Sequence, residues 1–308
     1  MYISEREVRV LLTYDALIPA MRQALVDYSA GLVDQPPRAI LRPGQSGQGP
    51  GNSWFAVMPV VAGDTMAVKT VTFYPDNALL DPALGLHTHM ATIELLSRAT
   101  GEPLALMDGR LITEMRTAAV SAVALDALAR PEASSLGILG SGVQARSHVQ
   151  ALRLVRPNLN DIRIWSRNPA NAQKLADETG ARAVPIEEAS SADVVLTVTG
   201  SPTPVLEGRW LAPHALVLAV GASGATLREL DDEAMLSSYV VAESRSCVER
   251  ESGDVLLSGA TVQAEIGEFL SSSLAVPRKR RIVFKSVGMA IEDLTAARLV
   301  WLAHKAHQ

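Results

Sequence analysis

Residues 136–145 read LGILGSGVQA, an apolar run that stops at Gly140, repeats a glycine at 142 and places a small residue at 145. A helical pattern, VQARSHVQALRLV, follows at once. Each position has a physical task. Gly140 permits a tight turn, Gly142 lets the backbone approach a pyrophosphate, and Ala145 lets the helix pack closely on the strand. The first-turn amides of that helix then face the anion. Such a junction needs a strand feeding directly into a helix, which predicts an α/β domain with a Rossmann-type doubly wound parallel sheet. The rest of the chain agrees. DIRIWSR, ADVVLTVTG, HALVLAVG and SSYVVAES are apolar strands separated by amphipathic helices. This is the pattern of a parallel sheet covered on both faces. In NPANAQKLADETG, Asn168 is the expected N-cap and Pro169 the first helical residue.

The first third follows another rule. Ser4 and Glu7 form a capping box for a short helix over 4–12, and a second helix over 14–31 ends at Gly31. The Pro- and Gly-rich stretch 35–51 reads as loop. From Ser53 the apolar period becomes two, which predicts consecutive strands and a second hairpin turning at Thr100-Gly101. A long Ala-rich helix is expected from Thr113 to Pro131. The reading is a smaller α+β domain over 1–115 and a nucleotide-binding domain over 116–289.

Composition narrows the partners. With 33 acidic against 28 basic side chains, nucleic acid and anionic membrane are unsuitable partners. The basic run PRKRR (277–281) reads as a solvated turn. A lone cysteine, Cys247, excludes a disulfide framework, and no metal site is expected. No charged-then-apolar leader opens the sequence, and no apolar run reaches the ~18 residues of a membrane span. A reducing cytoplasm is the expected compartment.

The strand after the glycine turn ends IWSRNP. An NAD site commonly carries a carboxylate here for the ribose 2′-hydroxyl. Ser166, Arg167 and Asn168 stand there instead, and Arg167 suits a 2′-phosphate. NADPH is therefore expected over NADH. Gly140, Ser141, Gly142, Val143 and Gln144 would hold the pyrophosphate. Thr197, Val198, Thr199, Val220, Gly221 and Ser286 sit in strand-end segments expected to border the same cofactor.

Three cations stand apart. Lys69 alternates onto the face of Ala67, Val71 and Phe73, where a charge is costly unless paired or used. Arg116 falls in the first turn of a helix starting at Thr113, where the dipole disfavours a cation and favours an anion beside it. Arg38 follows two prolines that stiffen its loop. Together they suggest a pocket for a small carboxylate beside the nicotinamide. His87 and His89 flank the second hairpin, and His89 is kept as a substrate-side candidate.

MRTAAVSA, GILGSGVQA, DVVLTVTG and AVGAS resemble the signature blocks of the ornithine cyclodeaminase/mu-crystallin family, in order and over nearly the whole chain. VKTVTFYPD, ESGDVLLSGA and FKSVGMAIEDLTAARLV look most like its ketimine reductase branch. The resemblance implies a homodimer built through the first domain, with the C-terminal helix, about 290–308, returning to pack on it. It also implies that Arg38, Lys69 and Arg116 bind substrate.

In cyclodeaminases of this family the turn AVGAS carries an Asp that serves as acid and base. Here Ser223 occupies it, and a serine cannot act so without an activating partner. The expected activity is therefore NADPH-dependent reduction of cyclic imino acids, Δ1-pyrroline-2-carboxylate and Δ1-piperideine-2-carboxylate. Lys69 and Ser223 are its expected catalytic residues. Ornithine cyclodeamination, an alanine- or opine-type dehydrogenase and a non-catalytic NADPH-binding protein are the alternatives.

Overall fold

A computed structural model describes residues 1–43 and 53–307. The chain forms two compact units. One comprises Met1–Ala24, Gly31–Arg116 and Met289–Gln308; the other comprises Leu25–Ala30 and Thr117–Gly288.

The first unit begins with β1 (Tyr2–Ile3), α1 (Glu5–Leu11) and α2 (Tyr14–Ser29), whose last turn belongs to the second unit. The Ser4/Glu7 capping box is present at the start of α1. Then come β2 (Ala39–Leu41), β3 (Trp54–Ala62), β4 (Thr65–Phe73), β5 (His89–Ser97) and β6 (Pro103–Asp108). They form a sheet in the order β1-β6-β5-β4-β3-β2, antiparallel except where β1 meets β6. The second hairpin turns at Gly101 with φ +73°, a conformation glycine adopts freely. Alternation buries Ala67, Lys69 and Val71 of β4 on one face, with Met58 and Ile93 paired to Lys69 on either side.

β2 was not expected: residues 39–41 lie in the stretch read as loop, yet they pair antiparallel with β3. Arg38 to Leu41 are free of glycine and follow the rigid Pro36-Pro37, so an extended edge strand is accessible to them. Residues 44–51 of that stretch lie outside the described residues.

The helix α3 (Arg110–Leu128) starts three residues before Thr113. Asp108 Oδ1 accepts from the Arg110 amide at 2.9 Å, and the Thr113 amide already donates to Gly109 O. Arg116 therefore sits in the second turn, beyond the reach of the terminal dipole, and the dipole argument for a bound anion does not hold there.

The second unit runs β7 (Ser135–Leu139), α4 (Val143–Val155), β8 (Asp161–Trp165), α5 (Pro169–Thr179), β9 (Arg182–Ala183), α6 (Ile186–Ser190), β10 (Val194–Thr197) and β11 (Leu216–Ala219). It continues with α7 (Asp232–Leu236), β12 (Tyr239–Ala242), α8 (Arg245–Glu251), α9 (Gly253–Ser258), β13 (Ala264–Glu265), α10 (Ile266–Leu270) and β14 (Ile282–Lys285). All eight strands are parallel, ordered β13-β12-β14-β11-β10-β7-β8-β9. The chain builds outward from β7 to β9 and then returns to place β10 on the other side of β7. That reversal is the switch point where such sheets bind ligands. Gly137 is dictated by packing, since a Cβ there would lie 1.7 Å from Ala189 O of α6. The basic turn is only partly solvated: Arg278 donates to Ala127 O and Ala129 O, and Arg281 to Leu211 O and Ala212 O.

The chain closes with α11 (Ala290–Ala306), which belongs to the first unit and packs on β3, β4 and β5. No helix among the described residues is long and apolar enough to cross a membrane.

Candidate active site

In the first unit two of the three cations singled out in the sequence, Lys69 and Arg116, meet a pair of carboxylates. Lys69 and Asp293 are each 2 % exposed, and Lys69 Nζ lies 2.6 Å from Asp293 Oδ2. The other Asp293 oxygen is 3.3 Å from Arg116 Nε, and Arg116 Nη1 bonds Glu292 Oε2 at 2.5 Å. Arg38, half-buried, is near enough for its charge to act on Lys69. Burial takes Lys69 from 10.5 down to about 8. The charge of Asp293 opposes the shift, while Arg116 and Arg38 add to it.

Local sequence explains the placement. β4 alternation turns Lys69 toward α11, and Glu292 and Asp293 lie in the first turn of α11, where carboxylates suit the helix dipole. Gln35 Oε1 accepts from the Ile291 amide at 2.9 Å, fastening the Gln35–Arg38 loop to the start of α11. His89 is at the start of β5, its ring 4.5 Å from Phe73 and 6.2 Å from Trp54. Packing and the charge of Lys69 both lower its pKa. It keeps exposed surface, so it borders the cluster rather than belonging to the buried set.

In the second unit Gly140 adopts φ +131°, and a Cβ there would come within 2.8 Å of Val198 O at the end of β10. Gly142 begins α4 without a side-chain cap, and a Cβ on it would meet nothing within 4 Å. The first-turn amides of Val143 and Gln144 thus open onto uncrowded space, which suits a pyrophosphate. Ala145 is fully buried. Ser141 Oγ donates to Ser166 Oγ at 2.9 Å, joining the glycine turn to the end of β8. Arg167 is exposed beside it, and Asn168 caps α5 by accepting from the Ala170 amide. A nicotinamide dinucleotide therefore fits these residues.

Other strand-end candidates are held by buried acids. Glu229 accepts from Thr197 Oγ1 (2.8 Å) and from the amides of Thr199 (2.5 Å), Gly221 (2.7 Å) and Ala222 (3.2 Å). It joins the ends of β10 and β11 and fixes the turn before Ser223, which is exposed. Val220 donates its amide to Thr197 O. Burial raises the Glu229 carboxyl pKa, opposed by the charge of Lys285 and by the Thr199 bonds. Lys285 is fully buried and pairs with Asp254 at 2.8 Å, which in turn accepts from the Glu229 and Leu230 amides. Ser286 Oγ donates to Glu243 Oε2 at 2.6 Å, so this hydroxyl serves the strand end.

Sequence reasoning missed Gln35, Glu292, Asp293, Glu229, Glu243, Asp254 and Lys285. One signal was available for Asp293: a lysine on an apolar strand face requires a buried anion, and AIEDL is an acid pair at the start of a largely apolar helix. Among the described residues no group of His, Cys, Asp and Glu could hold a metal ion.

Comparison with known proteins gives concordant matches. The family model described as "Ornithine cyclodeaminase/mu-crystallin family" matches residues 1–307. Ketimine reductase mu-crystallin of Macropus fuliginosus is 39 % identical over 307 residues, covering 97 % of this chain and 95 % of that one. The structure of Thermococcus litoralis Δ1-pyrroline-2-carboxylate reductase in complex with NADH and L-proline superimposes with a TM-score of 0.91 at 31 % identity, covering 100 % of this chain and 98 % of that one. An archaeal alanine dehydrogenase dimer with bound NAD gives a TM-score of 0.92 at 28 % identity, covering 100 % and 96 %.

Proposed function

Because the chain belongs to the ornithine cyclodeaminase/mu-crystallin family, we propose that this NAD(P)H-dependent oxidoreductase of C=N bonds reduces cyclic ketimine carboxylates. The substrates are Δ1-pyrroline-2-carboxylate and Δ1-piperideine-2-carboxylate, the products L-proline and L-pipecolate, and the preferred reductant NADPH.

The observation that carries the reading is the buried Lys69–Arg116–Asp293–Glu292 cluster with Arg38 beside it. Arg38 and Arg116 are guanidinium groups gathered in one unit, the chemistry that binds a carboxylate. Arg38 and Arg116 grip the carboxylate, and Lys69 Nζ holds the proton destined for the imine nitrogen. His89 borders the ring. When bound, the nicotinamide supplies the hydride. Gly140, Ser141, Gly142, Val143 and Gln144 hold its pyrophosphate, and Ser166, Arg167 and Asn168 meet the ribose and its 2′-phosphate. Thr197, Val198, Thr199, Val220, Gly221 and Ser286 shape the strand ends on the nicotinamide side. Ser223 orients the carboxamide or a water there.

Ser223 disfavours cyclodeamination, because this turn lacks the carboxylate that would handle water and amine. The chain is further proposed to act as a cytoplasmic homodimer. The deciding experiment is a panel of five- and six-membered cyclic ketimines, pyruvate with ammonia or amines, and L-ornithine, each with NADPH and NADH. Imine-dependent oxidation of NADPH exceeding every open-chain reaction is expected. Turnover of pyruvate and ammonia alone, or ammonia release from L-ornithine, would overturn the assignment.

A further inference from the structure

Asp293 is placed unlike an ordinary partner in a salt bridge. One of its oxygens serves Lys69 at 2.6 Å and the other faces Arg116 at 3.3 Å. Arg116 already has Glu292 at 2.5 Å, so its charge is met without Asp293. Among the described residues, Asp293 is the acid whose charge acts on Lys69: the sheet neighbours of Lys69 are Met58 and Ile93, and the other charges acting on it are Arg116 and Arg38. His89, on β5, is a further titratable group that its charge reaches. Glu292 is engaged by Arg116. We propose that Asp293 is the positioning residue that keeps Lys69 protonated and aimed, so that Lys69 and Asp293 act together as the proton-holding pair of the reduction. The inference rests on the ketimine-reductase reading.

The proton balance is simple. An N–H bond forms at the imine nitrogen as an Nζ–H bond of Lys69 breaks, and the substrate carbon receives the hydride. Lys69 is left as the neutral amine and takes a proton back from water. Burial alone drives a lysine toward its neutral form, which could donate nothing. The Asp293 charge is the principal influence that opposes this, and burial has already brought Lys69 to about 8. Losing that carboxylate would leave Lys69 beside two arginines and largely deprotonated at neutral pH.

Two readouts test this. In the first, kcat/KM for a cyclic ketimine with NADPH is measured against pH for the wild type, Asp293→Asn and Asp293→Glu. The wild type is expected to lose activity as pH rises through about 8. Asp293→Asn should move that limb down by about one pH unit or more, and Asp293→Glu should restore it in large part. An unmoved limb with a uniformly lower rate would mean that Asp293 only supports packing. The second readout needs no turnover. The chain has five lysines, so 13Cε-labelled lysine gives few resonances, with Lys69 assigned by its loss in Lys69→Met. Its titration midpoint should lie near 8 in the wild type and lower in Asp293→Asn. Equal midpoints overturn the inference. Unequal midpoints in a protein that reduces no ketimine would sustain the pairing and reject the reaction.

Discussion

At the scale of single residues, Arg116 and Arg167 make a contrast that tests both the cluster and the nucleotide. Arg116 is buried with Glu292, which is fully inaccessible, and with Asp293. Arg116→Met strands a buried carboxylate, and breaking such a pair costs about 3–5 kcal/mol. Urea unfolding should show that loss together with collapse of ketimine turnover. Arg167 is exposed, so Arg167→Ala should change stability by no more than about 0.5 kcal/mol. Its effect should fall on the nucleotide: kcat/KM with NADPH drops about tenfold, the size of one charge-assisted phosphate contact, while the value with NADH stays level. Equal losses with both nucleotides would remove Arg167 from the 2′-phosphate site. Ser223→Asp should lower reduction by adding a negative charge to the turn that Glu229 holds in place. Unchanged turnover would show that Ser223 has no part in the chemistry.

At the scale of elements, the α3–α4 junction carries a pH-sensitive contact. His148 of α4 is fully buried, with Nδ1 2.7 Å from Gln144 O and Nε2 2.9 Å from Ser121 Oγ of α3. Nδ1 therefore carries the proton and Nε2 accepts from the serine, a neutral ring with both nitrogens used. Burial lowers the imidazole from 6.5 to about 4. Between these values the unfolded chain binds the proton and the folded one does not, so stability rises with pH across the window and is lost as pH falls from 6.5 toward 4. The full difference is about 3 kcal/mol. His148→Gln should flatten this part of the acid limb in urea midpoints measured from pH 7 to 4; an unchanged slope would place the acid sensitivity elsewhere. The same two helices show what sequence can reveal. The glycine turn, the capping box and the strand periods are local, so Gly140, Ser4 and β3 to β6 were legible from neighbours alone. The start of α3 was not, because Asp108 caps from the preceding strand while Thr113 looks like a cap in the sequence. Glu292 and Asp293 lie 176 residues or more from the cations they meet. Lys69 and Arg116 announced that a partner was needed, but its address is a property of the fold. Glu229 and Asp254 gave no signal at all, since each answers backbone amides that only the folded strand ends expose.

At the scale of the whole molecule, the sheet of the first unit has a face with several exposed apolar side chains among the described residues. Register places Leu41, Phe55, Thr72 and Met90 in one row, and Pro59, Val68, Glu94 and Leu106 in another on the same face. Lys69 points the opposite way, to α11. Leu41 is 62 % exposed, Leu106 44 % and Met90 36 %, and the edge strand β2 is exposed along its length. A sheet face that carries exposed apolar side chains beside an exposed edge strand is a surface that oligomers use. A homodimer closed by a two-fold axis through this face would bury about 800 Å² on each subunit. Light scattering coupled to size exclusion should then return twice the chain mass of 32.8 kDa. Replacing Leu41 and Leu106 together by lysine sets like charges against each other across the axis and should shift the particle to a single chain. The variant should keep nucleotide binding, because the glycine turn and its partners all belong to the second unit. A wild-type chain that elutes as a monomer at micromolar concentration would overturn the dimer. A dimer that survives the double lysine change would instead place its interface on another surface.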